Sequence, residues 1–524
     1  MPKSRSIDFA TLRSDLFAGI VVFLVALPLC LGIATASGVE PFAGLLSGIV
    51  GGLVVALLSG SHLSVSGPAA GLVVIVVSAI GTLGSFSAFL CAVLIAGALQ
   101  VVFGLVRAGQ LASFVPVPVI KGMLASIGLL LIVKQVPLAM GVGAHAASSA
   151  ASTTHASVAI DTAFGPVLVP ALVLAAVSVA LLFAWETPRA KRFALVRAVP
   201  GPLAVVALGI GVTVLLDAFA PAFALPVEQR VALDSLASLD ALAGALALPD
   251  FTQFVDADVW RVALTLAVVA SLETLLSLEA VEQMDPQRRR ASPDRELKAQ
   301  GVGNMIAGAL GGLPITAVIV RSSANLNAGA RTRLSAFVHG VLLLVSVFAL
   351  TTVLNLIPLA CLAAILIQTG YKLAKPALFV AMMREGVERL IPFIATIVGV
   401  LMTDLLIGIG IGIAVSMLLA MRANLDDTFA LAEHDDHYLL SFRKDASFLA
   451  KPMLMRCLAR IPDRATVLID AERADFVDRD IRETLDRFIA DAPRRQITVE
   501  RMQWPRLDTS AKRRLPWARQ ARPT

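Results

Sequence analysis

Long apolar runs follow one another from residue 16 to about residue 422, and short polar loops separate them. A helix that crosses the hydrocarbon core of a membrane needs about 20 largely apolar residues. The runs therefore predict an all-α polytopic membrane protein with about fourteen spans, and several runs are too short for a full helix. The predicted spans lie near residues 16–39, 41–59, 66–82, 86–106, 117–139, 165–185, 201–218, 258–280, 297–311, 315–328, 334–353, 356–371, 388–404 and 405–421.

The pattern changes after residue 422, where the apolar runs end. Residues 423–436 are rich in acidic side chains and are expected to form a linker. Alternating patterns then predict a small C-terminal α/β domain over residues 437–504. Its strands are predicted at 437–442, 465–470 and 497–502, and its helices at 449–461 and 481–489. The chain begins with a polar segment, residues 1–15, and ends with a basic tail, residues 505–524, which is expected to meet anionic membrane lipid.

Composition agrees with a membrane protein. Hydrophobic residues make up 57% of the chain and charged residues 16%, whereas soluble domains average about 25% charged. The net charge of +6 does not indicate nucleic acid, because basic residues of membrane proteins collect in cytoplasmic loops. The four cysteines lack metal-site spacing and do not suggest a disulfide framework. The first apolar run lacks a cleavage pattern and is interpreted as a retained span.

The basic residues follow the alternation that fourteen spans require. Residues 141–164 contain no Lys or Arg, and residues 219–257 contain only Arg230, so these two loops are predicted to be external. Both termini are therefore expected in the cytoplasm, with the chain in the cell inner membrane. The predicted inner loops hold Arg107; Arg189, Lys191, Arg192 and Arg197; Arg288, Arg289, Arg290, Arg295 and Lys298; Arg331 and Arg333; and Lys372, Lys375 and Arg384.

Two short apolar runs begin with Gly and Pro. Residues 64–71 (SVSGPAAG) open the third span, and residues 311–316 (GGLPIT) open the tenth. An inverted repeat of seven spans would make these runs symmetry mates, and paired interrupted segments are a sequence sign of a transporter site. The alternative is that Gly and Pro only kink ordinary membrane helices, where both are common.

Arg321 lies in the tenth run, about 12 Å of helix from Pro314 and from the basic motif at residues 329–333. A charge at that depth usually faces a cavity, a partner or a substrate. Together with the N-termini of the third and tenth spans it predicts an anion site. The alternative is an ion pair with a structural carboxylate. The predicted anion-binding residues are Ser66, Gly67, Ala69, Thr316, Arg321, Ser322 and Ser323.

Glu273 lies in the eighth span, and Ser277 follows it by one helical turn. A carboxylate within a membrane can exchange protons or bind Na⁺ together with nearby hydroxyls. These two residues are therefore the predicted cation-coupling and sodium site. The alternative is that Glu273 only neutralises Arg321. His339, alone in the eleventh span, is interpreted as a packing residue whose ring is hydrogen-bonded.

The sequence carries no GxSxG, Walker, HExxH or Cys-rich metal motif, so it is not expected to be an enzyme or an ATP-driven pump. No cofactor is expected other than Na⁺ or H⁺ as the coupling ion.

The chain resembles the sulfate permease (SulP) family of transporters along almost its whole length. The resemblance rests on VSGPAAGL (65–72), SLETLLS (271–277), GGLPIT…VRSSANLNAGARTRLS (311–335) and the C-terminal segment. It implies a uracil-permease-like 7+7 inverted repeat, with a core of spans 1–4 and 8–11 that moves against a gate of spans 5–7 and 12–14. It also implies a short STAS-like domain and a homodimer. By resemblance, Arg321 matches the family's anion-site arginine, and Glu273 and Ser277 match a sodium-binding carboxylate and hydroxyl.

The first span departs from the family pattern, since Leu29 and Ile33 occupy the positions of a usual Gln and Tyr. This variant and the wording of the tenth span are similar to family members linked with carbonic anhydrase, which favours bicarbonate and makes carbonic anhydrase a candidate partner. Asp478 and Asp480 lie where phosphorylatable members carry Ser or Thr, so that form of regulation is not expected.

The sequence therefore predicts elevator-type secondary transport of a small inorganic anion, most specifically bicarbonate coupled to Na⁺ or H⁺. The alternatives are a proton-coupled sulfate or C4-dicarboxylate transporter, or an anion exchanger. A nucleobase transporter of the same fold, an anion channel, and a signalling or scaffold protein acting through the cytoplasmic domain are further alternatives.

Overall fold

The computed structural model describes residues 9–110, 115–142, 159–162, 165–193, 196, 199–234, 244–426, 428–474 and 476–502. Two compact units are present, Met1–Ile413 and Ala414–Thr524. The predicted basic tail, 505–524, lies outside the described residues, as do most of the polar N-terminus and much of the external loop at 141–164.

The first half of the first unit is mainly helical, with three short strands, of which the second and third pair with each other. Proline or a capping side chain marks many helix starts; Ser85, for example, accepts a hydrogen bond from the Ala88 N–H at 3.1 Å. The elements are α1 (Phe9–Ala36), α2 (Pro41–Leu58, which contains a π-helical turn at Gly51–Val55), β1 (Ser66–Pro68), α3 (Val73–Leu83), α4 (Phe86–Leu105), α5 (Val117–Ala139), β2 (Ala159–Thr162), β3 (Gly165–Leu168), α6 (Val169–Trp185) and α7 (Gly201–Phe219).

The second half of the first unit is also mainly helical. Side chains of Asp256 and Ser292 cap α8 and α9, and α9 ends at Gly311, whose φ of 95° suits glycine. The elements are α8 (Ala257–Met284), α9 (Pro293–Leu310), β4 (Ile315–Ala317), α10 (Ile319–Asn327), α11 (Leu334–Ala349), α12 (Leu359–Leu373), α13 (Pro376–Arg384), α14 (Val387–Met402) and α15 (Leu405–Asp426).

A helix lies at every predicted span, so the helical character of this unit is confirmed. Within the described residues, seven helices are long and apolar enough to cross a membrane: α1, α2, α4, α5, α7, α8 and α15. The others are shorter or, like α9, less apolar, and α10 has only 9 residues. The count of fourteen spans and the 7+7 repeat stay predictions. Helix α13 lies where the sequence predicts an inner loop.

Glycines bring pairs of helices into backbone contact. A Cβ at Gly97 of α4 would lie 2.6 Å from the carbonyl oxygen of Gly301 in α9, and a Cβ at Gly301 would lie 2.6 Å from that of Gly97. Gly128 of α5 and Gly370 of α12 make the equivalent pair, at 2.5 and 2.7 Å. Small residues let membrane helices pack at close range. The predicted core and the predicted gate both contain helix pairs of this kind, and Gly52 of α2 and Gly340 of α11 form a further one in the core.

The second unit contains a four-stranded sheet in the order β5 (Phe429–His434), β6 (His437–Phe442), β7 (Thr466–Asp470) and β8 (Thr498–Met502). Strands β5 and β6 are antiparallel, and β6–β7 and β7–β8 are parallel. Helices α16 (Lys451–Ala459) and α17 (Arg479–Asp491) contribute Leu454, Ile481 and Leu485 to its apolar core. The predicted strands and helices of this small α/β domain are confirmed.

The prediction of a linker at 423–436 is wrong for much of its length. Strand β5 occupies Phe429–His434, and α15 extends to Asp426. Asp435 and Asp436, which suggested a linker, form the tight turn between β5 and β6, and Asp435 has a φ of 52°. Aspartate tolerates this left-handed conformation better than most residues, so acidic residues here mark a hairpin.

Candidate anion site where β1 meets β4

The two interrupted runs meet directly. Strand β1 pairs with β4 in antiparallel register, and Gly67 lies opposite Thr316 at the centre of the pair. Each strand leads into a helix, β1 into α3 through a short turn at Ala70–Leu72 and β4 into α10. The open N-terminal turns of α3 and α10 therefore start at the same strand pair, which is the arrangement expected of an anion site.

Arg321 lies in the first turn of α10, and its guanidinium is held across this strand pair. Its side chain is fully buried. Nη2 donates a hydrogen bond to the carbonyl oxygen of Pro68 at 3.3 Å and a longer one to the sulfur of Cys30 at 3.4 Å. A Cβ at Gly67 would lie 2.0 Å from Nη1 of Arg321, so the guanidinium occupies space that only glycine leaves open.

Much of the hydrogen-bonding capacity of Arg321 is unused. Nε and Nη1 have no partner, and neither does the buried hydroxyl of Thr316. Among the described residues, Arg321 is the single buried Lys or Arg. An unpaired buried charge is costly, and it persists where a site awaits an opposite charge. The alternative of an ion pair between Arg321 and a carboxylate finds no support, since its two hydrogen bonds go to a carbonyl and a thiol.

The other predicted anion residues divide into two groups. Gly67, Thr316 and the buried Ala69 lie at the strand pair or at the start of α3. The Ser66 hydroxyl accepts a hydrogen bond from Gln300 at 2.7 Å.

The serines of α10 are engaged elsewhere. The hydroxyl of Ser322 donates to the carbonyl of Val318 at 2.8 Å and accepts from the Val65 N–H at 2.9 Å. The hydroxyl of Ser323 donates to the carbonyl of Val320 at 3.0 Å. Both hydroxyl protons are donated within the helix, and the assignment of Ser322 and Ser323 to the anion site stays a prediction.

Glu273 reaches from α8 to the turn that joins β1 to α3. A Cβ at Gly71, in the turn that precedes α3, would lie 2.9 Å from its Oε1 and 3.1 Å from its Oε2. Oε2 is buried and has no hydrogen-bond partner. Ser277 is buried one turn further along α8. Within the described part of the chain no cluster of three or more His, Cys, Asp or Glu residues could hold a metal ion, so a sodium site would need hydroxyl and backbone oxygens as well.

A polar face of α9 supports the strand pair, and the sequence reasoning missed its role. The side-chain amide of Asn304 donates to the Ile315 carbonyl at 3.0 Å and to Gln100 at 2.7 Å, and it accepts from the Ile315 N–H at 2.6 Å. Glu296, buried, accepts from Gln300 at 3.2 Å and from Ser59 at 2.5 Å. The signal was the spacing of Glu296, Gln300 and Asn304, because residues four apart share one helix face.

Two further expectations concern single residues. His339 is fully buried in α11, and neither ring nitrogen has a hydrogen-bond partner, so the expectation of a hydrogen-bonded ring is wrong. Cys30, which the sequence reasoning treated only as one of four unpaired cysteines, contacts Arg321.

The fold is that of a multi-pass membrane transporter with interrupted helices around a buried cation. A family model described as the sulfate permease family matches residues 12–398. The chain belongs to this family, and it is an anion transporter rather than an enzyme.

The chain is similar in sequence to two transporters and in structure to a third. The provisional sulfate transporter YvdB of Bacillus subtilis (strain 168) is 29% identical over 443 residues, covering 83% of this chain and 78% of YvdB. The bicarbonate transporter BicA of Synechocystis sp. is 26% identical over 459 residues, covering 84% of this chain and 76% of BicA. The murine Slc26a9 anion transporter in its inward-facing state has the same fold, with a TM-score of 0.71, 14% identity, and coverage of 96% of this chain and 86% of that one.

Proposed function

We propose that the chain is a secondary transporter of a small monovalent inorganic anion, bicarbonate, coupled to Na⁺ or H⁺ by elevator-type alternating access. The observation that carries the proposal is the buried guanidinium of Arg321, whose Nε and Nη1 have no partner. A planar guanidinium with free N–H groups matches a planar oxyanion, since two parallel N–H···O bonds form at once. The anion would bind against Gly67 and the Thr316 hydroxyl.

The charge at the strand pair favours a monovalent anion. Arg321 supplies one positive charge, and Glu273 brings a negative charge to the turn between β1 and α3. A bound bicarbonate and an ionised Glu273 leave one excess negative charge, which one Na⁺ at Glu273 and Ser277 would balance. A dianion would leave a second excess charge. Neither one Na⁺ nor one proton at Glu273 removes both of these charges, so a dianion is left with an unbalanced charge at the site. Proton-coupled sulfate transport is the alternative that the relationship to YvdB supports, and proton-coupled C4-dicarboxylate transport is the other.

The C-terminal α/β unit is proposed to be a short STAS-like domain at residues 437–504, and the protein is proposed to act as a homodimer in the inner membrane with both termini in the cytoplasm. The core of spans 1–4 and 8–11 would carry Arg321, Gly67 and Glu273 together, and the gate of spans 5–7 and 12–14 would stay fixed. Carbonic anhydrase, which consumes and supplies bicarbonate, is the proposed enzymatic partner.

Uptake into proteoliposomes tests the proposal. Labelled bicarbonate, sulfate, succinate and uracil would be compared, each with and without a Na⁺ gradient and a pH gradient, with Arg321→Ala as the matched control. Bicarbonate uptake driven by Na⁺ is the expected result. Sulfate or succinate uptake driven by H⁺ would reject bicarbonate and keep the site. Uracil uptake, ungated single-channel currents, or no transport of any anion would reject the proposal.

A further inference from the structure

Cys30 contacts the charged group on which the proposed function rests. Its sulfur accepts a hydrogen bond from Nη2 of Arg321 at 3.4 Å, and both side chains are fully buried. The Nε and Nη1 atoms of the same guanidinium have no partner. The thiol is therefore hydrogen-bonded to the one buried Lys or Arg of the described residues, at the nitrogen that also binds Pro68, while the other two nitrogens stay open to an anion.

Helix α2 holds Cys30 in this position. A Cβ at Gly48 would lie 2.8 Å from the Cys30 sulfur, and a Cβ at Gly44 would lie 2.1 Å from the Cys30 carbonyl oxygen. Two glycines thus let α2 pack directly on this turn of α1, and the sulfur has little room to rotate away from Arg321. This close approach on two sides fixes the direction of the N–H···S contact.

The chemistry of a thiol suits this role. Neutral sulfur is a weak hydrogen-bond acceptor, so it orients Nη2 without satisfying it in the way that an oxygen would. A carboxylate at the same place would form an ion pair and neutralise the guanidinium. A methyl group would leave Nη2 held by the Pro68 carbonyl alone.

We propose that Cys30 is a positioning residue of the anion site, whose sulfur holds the Arg321 guanidinium against Gly67 and leaves its charge available to the anion. This inference rests on the proposed function. It assigns to α1 a direct part in setting anion affinity.

The test compares the same substitution at two buried cysteines. Cys30→Ala removes the sulfur acceptor, whereas Cys91→Ala makes the identical change at a fully buried thiol of α4 that is not hydrogen-bonded to Arg321. Uptake kinetics are measured for the anion that the wild type transports. Binding is measured separately, as the rise in unfolding temperature of the detergent-purified protein with added anion.

Loss of a hydrogen bond of this kind is expected to raise KM about threefold or more in Cys30→Ala, with Vmax close to wild type, and to leave KM unchanged in Cys91→Ala. Cys30→Asp should abolish anion-dependent stabilisation. Should the aspartate variant fail to fold, the comparison of Cys30→Ala with Cys91→Ala still tests the inference.

Equal KM values in wild type and Cys30→Ala would overturn the inference and keep the proposed function. A wild type that neither transports nor binds any anion would overturn both. A fall in Vmax and in unfolding temperature at constant KM would make Cys30 a packing residue only and would also overturn the inference.

Discussion

The guanidinium of Arg321 occupies the space where a side chain at Gly67 would begin, with Nη1 only 2.0 Å from the position of a Cβ. Residue 67 therefore defines where the positive charge lies, although it has no side chain of its own. The two residues come from opposite halves of the chain, and the β1–β4 pair is what brings them together.

Gly67→Ala should displace the guanidinium by an ångström or more and weaken the anion site. We expect at least about a tenfold rise in the KM for the transported anion, the equivalent of about 1.4 kcal/mol. Gly81→Ala is the control. Gly81 lies in α3, which follows β1, and a Cβ there would meet nothing within 4 Å. An unchanged KM in Gly67→Ala would show that the anion binds elsewhere.

Arg321→Ala should separate function from stability. The substitution removes an incompletely paired buried charge. We therefore expect the free energy of unfolding without anion to stay constant or to rise by about 1–2 kcal/mol, and the unfolding temperature to follow it. Transport should be lost, and added anion should no longer stabilise the protein. Thermal unfolding with and without anion measures both effects, and retained stabilisation by the anion would contradict the site assignment.

Glu273→Gln should uncouple transport from the cation. The amide keeps the shape of the side chain against Gly71 and removes its charge. We expect uptake that no longer responds to a Na⁺ or pH gradient, or no net uptake. Glu279→Gln, an exposed carboxylate on the same helix, is the control and should behave as wild type. Full gradient dependence in Glu273→Gln would exclude this carboxylate from coupling.

Asn304→Ala should weaken the attachment of the β1–β4 pair to α9. Its amide exchanges two hydrogen bonds with Ile315 and donates a third to Gln100, all buried. Removing them leaves backbone groups of β4 unsatisfied, at a cost of about 2–3 kcal/mol. Thermal unfolding would record the loss, and transport should fall with it. An unfolding temperature equal to that of Gln283→Ala, an exposed amide change, would refute this supporting role.

Asp285 provides a prediction about pH outside the membrane-spanning helices. Burial raises the pKa of its carboxyl, but hydrogen bonds from Arg289 and from the Gln287 N–H outweigh it, so the pKa lies below its usual value. The stability that ionised Asp285 contributes is therefore present above about pH 4 and lost as the pH falls through the lowered pKa. The free energy of unfolding of the wild type should exceed that of Asp285→Asn by about 1 kcal/mol at pH 7, and this difference should disappear in acid. A difference independent of pH would contradict this account.

The sequence predicted the helices and the meeting of the two interrupted runs, because hydropathy and Gly-Pro breaks report directly on membrane depth and helix ends. Glu273 and Arg321 were found for the same reason: a charge in an apolar run is conspicuous. The hydrogen bonds of Ser322 and Ser323 could not be predicted, since a serine in a first helical turn can face a ligand or its own backbone. Cys30 and Gly67 were also beyond pattern reasoning in detail, because their roles depend on distances between segments far apart in the chain.

The β1–β4 pair has a consequence for biosynthesis. Pro68 and Arg321 are separated by 253 residues, so the anion site cannot form while only the first half of the protein has been inserted into the bilayer. Until β4 arrives, the extended backbone of β1 lacks its partner strand at membrane depth. Insertion of the first half must therefore leave space for β4 beside β1. A chain truncated before residue 315 would keep the backbone hydrogen-bonding groups of β1 without their partner strand.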